Sequence, residues 1–286
     1  MNVSSWLKRA SKTIDHLDAE LILAKGVEKE RIFLHGHPEY ILTQSEEEKA
    51  NQDLVRRQKG EPLAYILGFK EFYGRKFKVT ADVLIPRPET EAIIENIKSL
   101  VTSFPDYPSA PLTILDVGTG SGCIAITLAL ELANARLTAV DNSSKALDCT
   151  QYNIAALGAS NISTKISDLF ASTPEKYHII VANLPYVDPD WAWLDRASLD
   201  YEPSSALYAP DGGLALIKRL IKEAPDHLQP GGYLVIESDR SQQPAVQTFA
   251  AAHTSLESIA ALDRHSLVSV WRLPQNAAPS AAVPSD

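Results

Sequence analysis

Four consecutive residues, Asn183 to Tyr186, carry the side chains of this chain that are best suited to hold a planar nitrogen. They read Asn-Leu-Pro-Tyr and follow an apolar run, His178 to Ala182, whose length and β-branched content predict a buried strand. Pro185 cannot continue a central strand, so we expect the strand to end here. Ligands of open α/β sheets bind at the carboxyl ends of strands, which predicts a binding site at this loop.

The residue types in this loop suit an amide or an exocyclic amine as the bound group. The lone pair of such a nitrogen is delocalised, so the nitrogen needs acceptors aimed at its N–H hydrogens. The side-chain oxygen of Asn183 and the backbone carbonyl of Leu184 are the candidate acceptors, and Tyr186 offers a flat face. Holding the nitrogen in place could then be enough to promote the transfer of a methyl group to it, and no general base would be needed. The alternative is a plain loop in which Asn183 forms a turn and Tyr186 lies in the core.

A glycine-rich turn lies upstream, between a predicted strand and a predicted helix. It consists of Gly118, Thr119, Gly120, Ser121 and Gly122. Asp141 ends the next predicted strand about 20 positions on, where a carboxylate can accept both hydroxyls of a ribose. The spacing Gly-x-Gly-x-Gly departs from the dinucleotide fingerprint, so the ligand could instead be S-adenosylmethionine; a plain tight turn between strand and helix is the alternative. Asp168 and Leu169 end the third strand and would lie beside its adenine, although Asp168 could instead cap a helix.

The elements that must position these residues alternate between strand and helix. Strands are predicted at 113–117, 136–140, 162–166, 178–182, 231–237 and 269–273, and helices at 91–101, 123–133, 144–157 and 213–223. Such interleaving predicts an α/β unit with a mostly parallel sheet and helices on both faces. A tail after Pro274 is expected to be disordered.

The part of the chain before this unit has a different pattern. Residues 11–59 have helical periodicity, with Ser45 and the acidic residues after it as a helix start. Alternating residues around Gly74 predict a β-hairpin. Two prolines then flank Arg87 in a stiff hinge, where Arg87 either lines a site or pairs locally with Glu89.

The composition limits the classes of protein to which this chain could belong. The chain has 286 residues, 45% of them hydrophobic, with a net charge of −9, which argues mildly against binding bare nucleic acid. Cys123 and Cys149 have no paired metal spacing, so two buried thiols in a reducing cytoplasm are expected, with no metal. No run approaches the ~18 apolar residues of a membrane span. We expect a soluble, cytoplasmic protein.

Taken together, these motifs resemble those of the glutamine N5-methyltransferases of peptide-chain release factors, the PrmC/HemK type. The resemblance runs from about Asp18 to Trp271. It is carried by the segments 60–68 and 70–79, the hinge Ile85-Pro86-Arg87-Pro88-Glu89-Thr90, residues 116–122, the Asn183 loop, and the motifs Tyr201-Glu202-Pro203, Ala206-Leu207 and Asp211-Gly212-Gly213-Leu214.

The resemblance implies a helical N-terminal domain that docks the release factor (1–62), a β-hairpin linker (63–90) and a Rossmann-like methyltransferase domain with a seven-stranded sheet (91–274), before the tail (275–286). It implies methylation of the glutamine of the Gly-Gly-Gln motif in class 1 release factors, in translation termination, with S-adenosylhomocysteine as product. The residues implied to contact the cofactor are Gly118 to Gly122, Asp141, Asp168, Leu169 and Asn183. Asn183 to Tyr186 would hold the glutamine, with Arg87 near the docking junction. A monomer with no direct nucleic-acid partner is expected.

Leu184 departs from the family pattern, which usually has a second proline there. The loop Asn-Leu-Pro-Tyr resembles that of rRNA adenine dimethyltransferases, so RNA adenine methylation is one alternative. Those enzymes lack the hinge and the helical domain, and typically have a basic face. A non-catalytic protein-binding module that keeps the fold is the other alternative.

Overall fold

The computed structural model describes residues 1–104, 107, 109–192, 194, 199–262 and 267–276. The described chain forms two compact units. The first contains Met1–Lys70, Val79–Ala81 and the described residues of Asp195–Tyr201; the second contains Glu71–Lys78, Asp82–Leu194 and the described residues from Glu202 onward. Most of the tail predicted to be disordered, and Pro105 and Pro108 of a predicted loop, lie outside the described residues. The domain boundaries named above stay predictions.

The first unit is helical. Its helices are α1 (Val3–Ala10), α2 (His16–Gly26), α3 (Arg31–Gly36), α4 (Gln44–Gln58) and α5 (Leu63–Leu67). Trp6, Leu23 and Ile66 are buried together in its apolar core. Lys25 Nζ donates to Asp53 Oδ2 at 2.7 Å and to the Ile66 carbonyl at 2.6 Å. One cation therefore ties α2 to both α4 and α5.

The predicted start of α4 is wrong by two residues. Thr43, rather than Ser45, is the N-cap, and it forms a reciprocal capping box with Glu46. The sequence fits both positions, because Ser45 also has a glutamate three residues on. Glu46 additionally accepts a hydrogen bond from the Tyr40 hydroxyl at 3.1 Å, a contact that Glu48 does not make. This additional contact of Glu46 favours the earlier cap.

The predicted hairpin around Gly74 is confirmed. Strands β1 (Phe69–Phe72) and β2 (Arg75–Lys78) form a two-stranded sheet. Tyr73 and Gly74 between them both have positive φ, 50° and 70°, as a two-residue type I′ turn requires.

The second unit is built on a seven-stranded sheet, in the order β5-β4-β3-β6-β7-β9-β8. The strands are β3 (Leu112–Val117), β4 (Ala135–Asp141), β5 (Ile162–Ile166), β6 (Tyr177–Ala182), β7 (Leu228–Glu237), β8 (Glu257–Ile259) and β9 (Val268–Arg272). Those from β3 to β7 pair in parallel, and β9 is antiparallel to β7 and β8. The mostly parallel sheet predicted from the sequence is therefore confirmed.

Helices cover the sheet on two sides. They are α6 (Glu91–Val101), α7 (Cys123–Glu131), α8 (Ser144–Leu157), α9 (Ser204–Leu207), α10 (Ala215–His227) and α11 (Gln243–His253). Alternate residues of β3 enter different cores: Ile114 packs in one cluster with α6 and α7, and Leu115 in the other with α10 and α11. The strand is buried on both faces, as its mostly apolar sequence predicts. Among the described residues, no helix is both long and apolar enough to cross a membrane.

Strand register brings the polar residues after the strands to one edge. Val117 pairs with Val140 and with Ala182, and Ala182 pairs with Ile236. The residues next along each strand are therefore neighbours at the carboxyl edge of the sheet. They are Gly118, Asp141, Asn183 and Glu237.

Candidate active site

A cleft opens at this edge of the second unit, with about 990 Å³ between its walls when the space open to solvent is included. The sequence-predicted site residues in its wall are Arg87, Gly118, Thr119, Gly120, Ser121, Asp141, Asp168, Leu169, Asn183, Leu184 and Pro185. Two predicted residues are not in the wall. Gly122 caps α7, and the ring of Tyr186 packs against the core beside the loop.

The glycine-rich turn has a backbone that only glycine adopts without strain. Gly118, Gly120 and Gly122 have φ of 75°, 57° and 81°. The N–H groups of Gly118 and Thr119 both donate to the Val140 carbonyl at 2.9 Å, which fixes the turn to β4. Backbone hydrogen bonds to β4 therefore hold the turn in this conformation without the help of a ligand.

Two side chains of α8 hold the turn from the other side. Thr150 Oγ1 donates to the Gly120 carbonyl at 2.8 Å, and Asn153 Nδ2 donates to the Ser121 carbonyl at 2.8 Å. Asn153 is 1% exposed and also bonds both backbone groups of Lys78, accepting from its N–H at 2.8 Å and donating to its carbonyl at 3.0 Å. The second strand of the hairpin and the glycine-rich turn therefore share one buried amide.

The Asp141 carboxylate connects the turn to the end of β4. Its Oδ2 accepts from the Gly120 N–H and its Oδ1 from the Ser143 N–H, each at 2.9 Å. Each oxygen keeps a second lone pair, so the carboxylate can still accept from two hydroxyls. Asp168 forms an exposed ion pair with Arg219 at 3.2 Å and is not a helix cap, while the side chain of Leu169 is buried. These groups suit the ribose and the adenine of a nucleoside.

The position of Gly118 is crowded, and this gives a first testable expectation. A Cβ there would lie 2.8 Å from Leu184 Cδ2, whereas a Cβ on Gly120 would meet nothing within 4 Å. Both positions have positive φ, so Gly120→Ala is expected to cost about 1 kcal/mol in the free energy of unfolding and Gly118→Ala about 1 kcal/mol more. Combining Gly118→Ala with Leu184→Ala should give less than the sum of the two losses, measured by urea unfolding. Strict additivity would contradict the contact.

Asp116 is a buried carboxyl in β3, just before the turn. It is 0% exposed; Oδ2 accepts from Thr119 Oγ1 at 2.7 Å, and Oδ1 has no hydrogen-bond partner among the described residues. Burial raises its pKa from 3.8 to about 7, against the lowering effect of Thr119. Between these two values the folded state binds the proton more tightly than the unfolded state. The carboxyl therefore lowers the free energy of unfolding as pH rises through this window.

Asp116→Asn tests this dependence, because asparagine keeps an acceptor for Thr119 and cannot ionise. We expect its stability relative to the wild type to rise by about 2 kcal/mol between pH 5 and pH 8, the window set by a pKa of about 7. Urea unfolding at the two pH values measures the difference, and effects of the substitution that do not depend on pH cancel. A difference that is constant with pH would place the carboxyl in an ordinary ionised state.

Asn183 is held by both hydrogens of its amide nitrogen. Nδ2 donates to Thr90 Oγ1 at 3.1 Å and to Glu237 Oε1 at 3.0 Å. Its side-chain oxygen accepts no hydrogen bond from any residue that the structure describes. Because Asn183 lines the cleft, this oxygen is an available acceptor there. The plain-loop alternative gives no role to an amide held in this way.

The hydroxyl of Tyr186 donates to the same glutamate oxygen, at 3.1 Å. Burial and the adjacent carboxylate raise the pKa of Tyr186 well above its usual range, so the hydroxyl remains a donor. Sequence reasoning gave no role to Thr90 or Glu237. The signal for Glu237 was present, since it too is a polar residue at the carboxyl end of a strand.

The hinge arginine pairs with a distant residue. Arg87 bonds Glu202 at 2.5 Å, and the second oxygen of Glu202 accepts from the Ile85 N–H at 3.0 Å. The predicted alternative of a local pair with Glu89 is therefore wrong. Arg87 is in the cleft wall with its side chain one third exposed. Nothing in the local sequence around Glu202 indicates this partner.

The two cysteines are buried free thiols, as predicted. Burial raises the pKa of Cys123 to about 12 and that of Cys149 to about 11. Neither is a thiolate at neutral pH, so neither is activated as a nucleophile. Within the described ranges, no group of three or more histidine, cysteine, aspartate or glutamate residues could hold a metal ion.

Two family models match the chain. The PrmC N-terminal domain matches residues 2–68, and the methyltransferase small domain matches residues 96–193. Among solved structures, the hMettl16 catalytic domain aligns with a TM-score of 0.56 at 15% identity, covering 81% of this chain and 84% of that one. A methyltransferase from Pyrococcus furiosus aligns with a TM-score of 0.50 at 16% identity, covering 72% and 92%. These two likenesses support the fold.

Curated relatives extend over most of the chain. Release factor glutamine methyltransferases from Koribacter versatilis and Coxiella burnetii are 40% and 38% identical to it. The first alignment covers 81% of both chains, and the second covers 95% of both. The relative of the same name from Escherichia coli is 33% identical, over 86% of this chain and 89% of its own. The chain therefore belongs to the release factor glutamine methyltransferase family, whose members are S-adenosylmethionine-dependent enzymes.

Proposed function

We propose that this enzyme methylates the side-chain amide nitrogen of the glutamine in the Gly-Gly-Gln motif of class 1 peptide-chain release factors. The observation that carries the proposal is Asn183, which lies in the wall of the cleft and whose amide nitrogen is committed to Thr90 and Glu237, so that its oxygen is left to accept from a substrate. The relatives' shared name supplies the substrate. The comparisons favour neither RNA adenine methylation nor a non-catalytic module.

The cleft fits S-adenosylmethionine. The residues that would hold it are Gly118 to Ser121, Asp141, Asp168 and Leu169: a backbone with no side chain to block approach at Gly118 and Gly120, a carboxylate with lone pairs for the ribose, and an apolar wall. S-Adenosylmethionine supplies an electrophilic methyl group when bound. Gly122 lies outside the wall at a crowded position, where a Cβ would be 2.8 Å from Ile126 Cδ1.

The loop would position the glutamine. Asn183 Oδ1 accepts one N–H of the substrate amide, and the backbone carbonyl of Leu184 accepts the other, so the nitrogen is presented along the line of transfer. Leucine in place of proline at 184 retains that carbonyl. Its side chain packs against Gly118, so the acceptor loop and the glycine-rich turn are in direct contact. The proton of the methylated nitrogen leaves to water after transfer, and no buried base is required.

The helical unit would dock the release factor and Arg87 would lie near the docked protein. The enzyme would act as a monomer on protein rather than on nucleic acid, in the cytoplasm where release factors act.

Labelled S-adenosylmethionine tests the function directly. We expect label on a class 1 release factor, at the glutamine of Gly-Gly-Gln, and none on a release factor in which that glutamine is replaced by alanine. Ribosomal RNA is tested as the alternative substrate in a separate reaction under the same conditions. Label on RNA with steep salt dependence, or no transfer by a protein that binds S-adenosylmethionine, would contradict the proposal.

A further inference from the structure

Glu237 lies beside Asn183 at the carboxyl edge of the sheet, and the transfer step described above does not use it. It is 1% exposed. Its Oε1 accepts from Asn183 Nδ2 at 3.0 Å and from the Tyr186 hydroxyl at 3.1 Å. Its Oε2 is buried and has no partner in the described part of the chain. The carboxylate thus accepts from two donors through one oxygen, and Glu237 is not among the residues in the wall of the cleft.

These contacts decide which way the Asn183 amide faces. A half-turn of that amide would place its oxygen about 3 Å from Glu237 Oε1, where two acceptors would repel each other. The same half-turn would aim Nδ2 into the cleft, where a donor would face the N–H groups of the substrate amide. Only one of the two orientations therefore presents an acceptor to the substrate.

Thr90 does not decide the orientation alone. A hydroxyl can donate or accept, so it would suit either face of the asparagine amide. Here its oxygen accepts from Asn183 Nδ2 at 3.1 Å, as it must once that nitrogen faces Glu237 Oε1. Thr90 therefore follows the amide orientation that Glu237 sets and does not set it.

We propose that Glu237 is a positioning residue that orients the Asn183 amide with its oxygen toward the cleft. The inference rests on the proposed function, because it takes Asn183 Oδ1 as the acceptor for the substrate amide. It assigns the glutamate an indirect part in transfer, through the asparagine alone.

Glu237→Gln keeps nearly the same shape and size, so a loss of activity in this variant would come from the changed hydrogen bonding and not from packing. If glutamine kept its oxygen toward Asn183, its NH₂ group would occupy the site of Oε2, where no acceptor is present. Turning the NH₂ toward Asn183 avoids that cost and draws the asparagine oxygen inward. We expect kcat for methyl transfer to fall about 10-fold or more, with the Kd of S-adenosylmethionine changed less than about twofold.

The decisive measurement is a reciprocal exchange. Asn183→Asp alone puts two carboxylates together, but Asn183→Asp combined with Glu237→Gln restores a donor–acceptor pair with an oxygen toward the cleft. We expect the double variant to be about 10-fold more active than Asn183→Asp. Ser238→Ala is the matched control, since Ser238 is the next residue, is buried and its hydroxyl has no partner among the described residues. It should keep wild-type kcat.

Three results would overturn the inference while the wild type is active. They are a Glu237→Gln variant within twofold of wild-type kcat, losses that multiply in the double variant, and an equal loss in Ser238→Ala. If Glu237→Gln does not fold, the pH dependence of Asn183→Asp replaces it: the contact with Glu237 predicts that the activity of this variant relative to the wild type rises between pH 8 and pH 6, and a constant ratio would overturn the inference. No transfer by the wild type would instead contradict the proposed function.

Discussion

Replacement of Asn183 by aspartate is expected to lower kcat about 100-fold or more at pH 8. The substitution exchanges a donor for an acceptor at a position 3.0 Å from Glu237 Oε1 and 3.1 Å from Thr90 Oγ1. Two carboxylates at that separation, one of them buried, cannot both ionise without a large penalty, so the cleft acceptor loses its alignment. A loss of about 3 kcal/mol in transition-state positioning corresponds to this factor.

The same variant should recover partly on acidification, and this recovery identifies the cause. A proton shared by the two carboxyls restores a donor between them, and such a pair binds that proton with a raised pKa. Activity relative to the wild type should therefore rise as pH falls from 8 to 6. Asn183→Ala has no second carboxyl, and its loss of about 5- to 150-fold should not vary with pH. Radiolabel transfer under single-turnover conditions measures both variants. Equal pH profiles would contradict the explanation.

Among glycine-to-alanine substitutions in the described part of the second unit, Gly213→Ala should be the most damaging. A Cβ at Gly213 would lie 1.9 Å from the Tyr186 carbonyl oxygen and 2.7 Å from Gln242 Nε2. That Nε2 donates to the Tyr186 carbonyl at 2.8 Å, so the methyl group would intrude on the bond that holds the end of the loop. We expect a loss of about 3 kcal/mol or more in the free energy of unfolding, and of about 100-fold in activity where the variant is folded.

The neighbouring glycine gives the matched control. Gly212 also has positive φ, 61° against 83° for Gly213, but its nearest contact for a Cβ is Asp188 Oδ2 at 3.7 Å. Gly212→Ala therefore carries the backbone strain without the collision, and should cost about 1 kcal/mol with activity largely retained. Urea unfolding and methyl transfer compare the two variants. Similar losses in both would show that backbone conformation, and not the approach of Tyr186, requires glycine here.

The part of the site that sequence predicts well is the part with local determinants. The turn from Gly118 to Gly122 needs glycine because of its own φ values, and the strand before Asn183 ends because Pro185 cannot pair. The helices at Glu91–Val101 and Ser144–Leu157 match their predicted bounds for the same reason, while α10 runs to His227, four residues beyond its predicted end.

The part that sequence does not predict depends on partners distant along the chain. Arg87 and Glu202 are 115 residues apart, and Asn183 and Glu237 are 54 apart. The second pair follows only from strand order, which places β7 beside β6. Tyr186 illustrates the same limit: its ring packs against the core and its hydroxyl is committed to Glu237, although the sequence offers it equally as a platform for substrate.

The buried Asn153 amide has a practical consequence for dissecting this enzyme. Two of its three backbone bonds are to Lys78, before the hinge, and the third is to Ser121 in the glycine-rich turn. A truncated fragment that starts at residue 91 would leave a donor and an acceptor of Asn153 without partners in an apolar interior, next to the glycine-rich turn. The shortest autonomous catalytic fragment should therefore retain the whole hairpin and begin no later than Phe69, the first residue of β1.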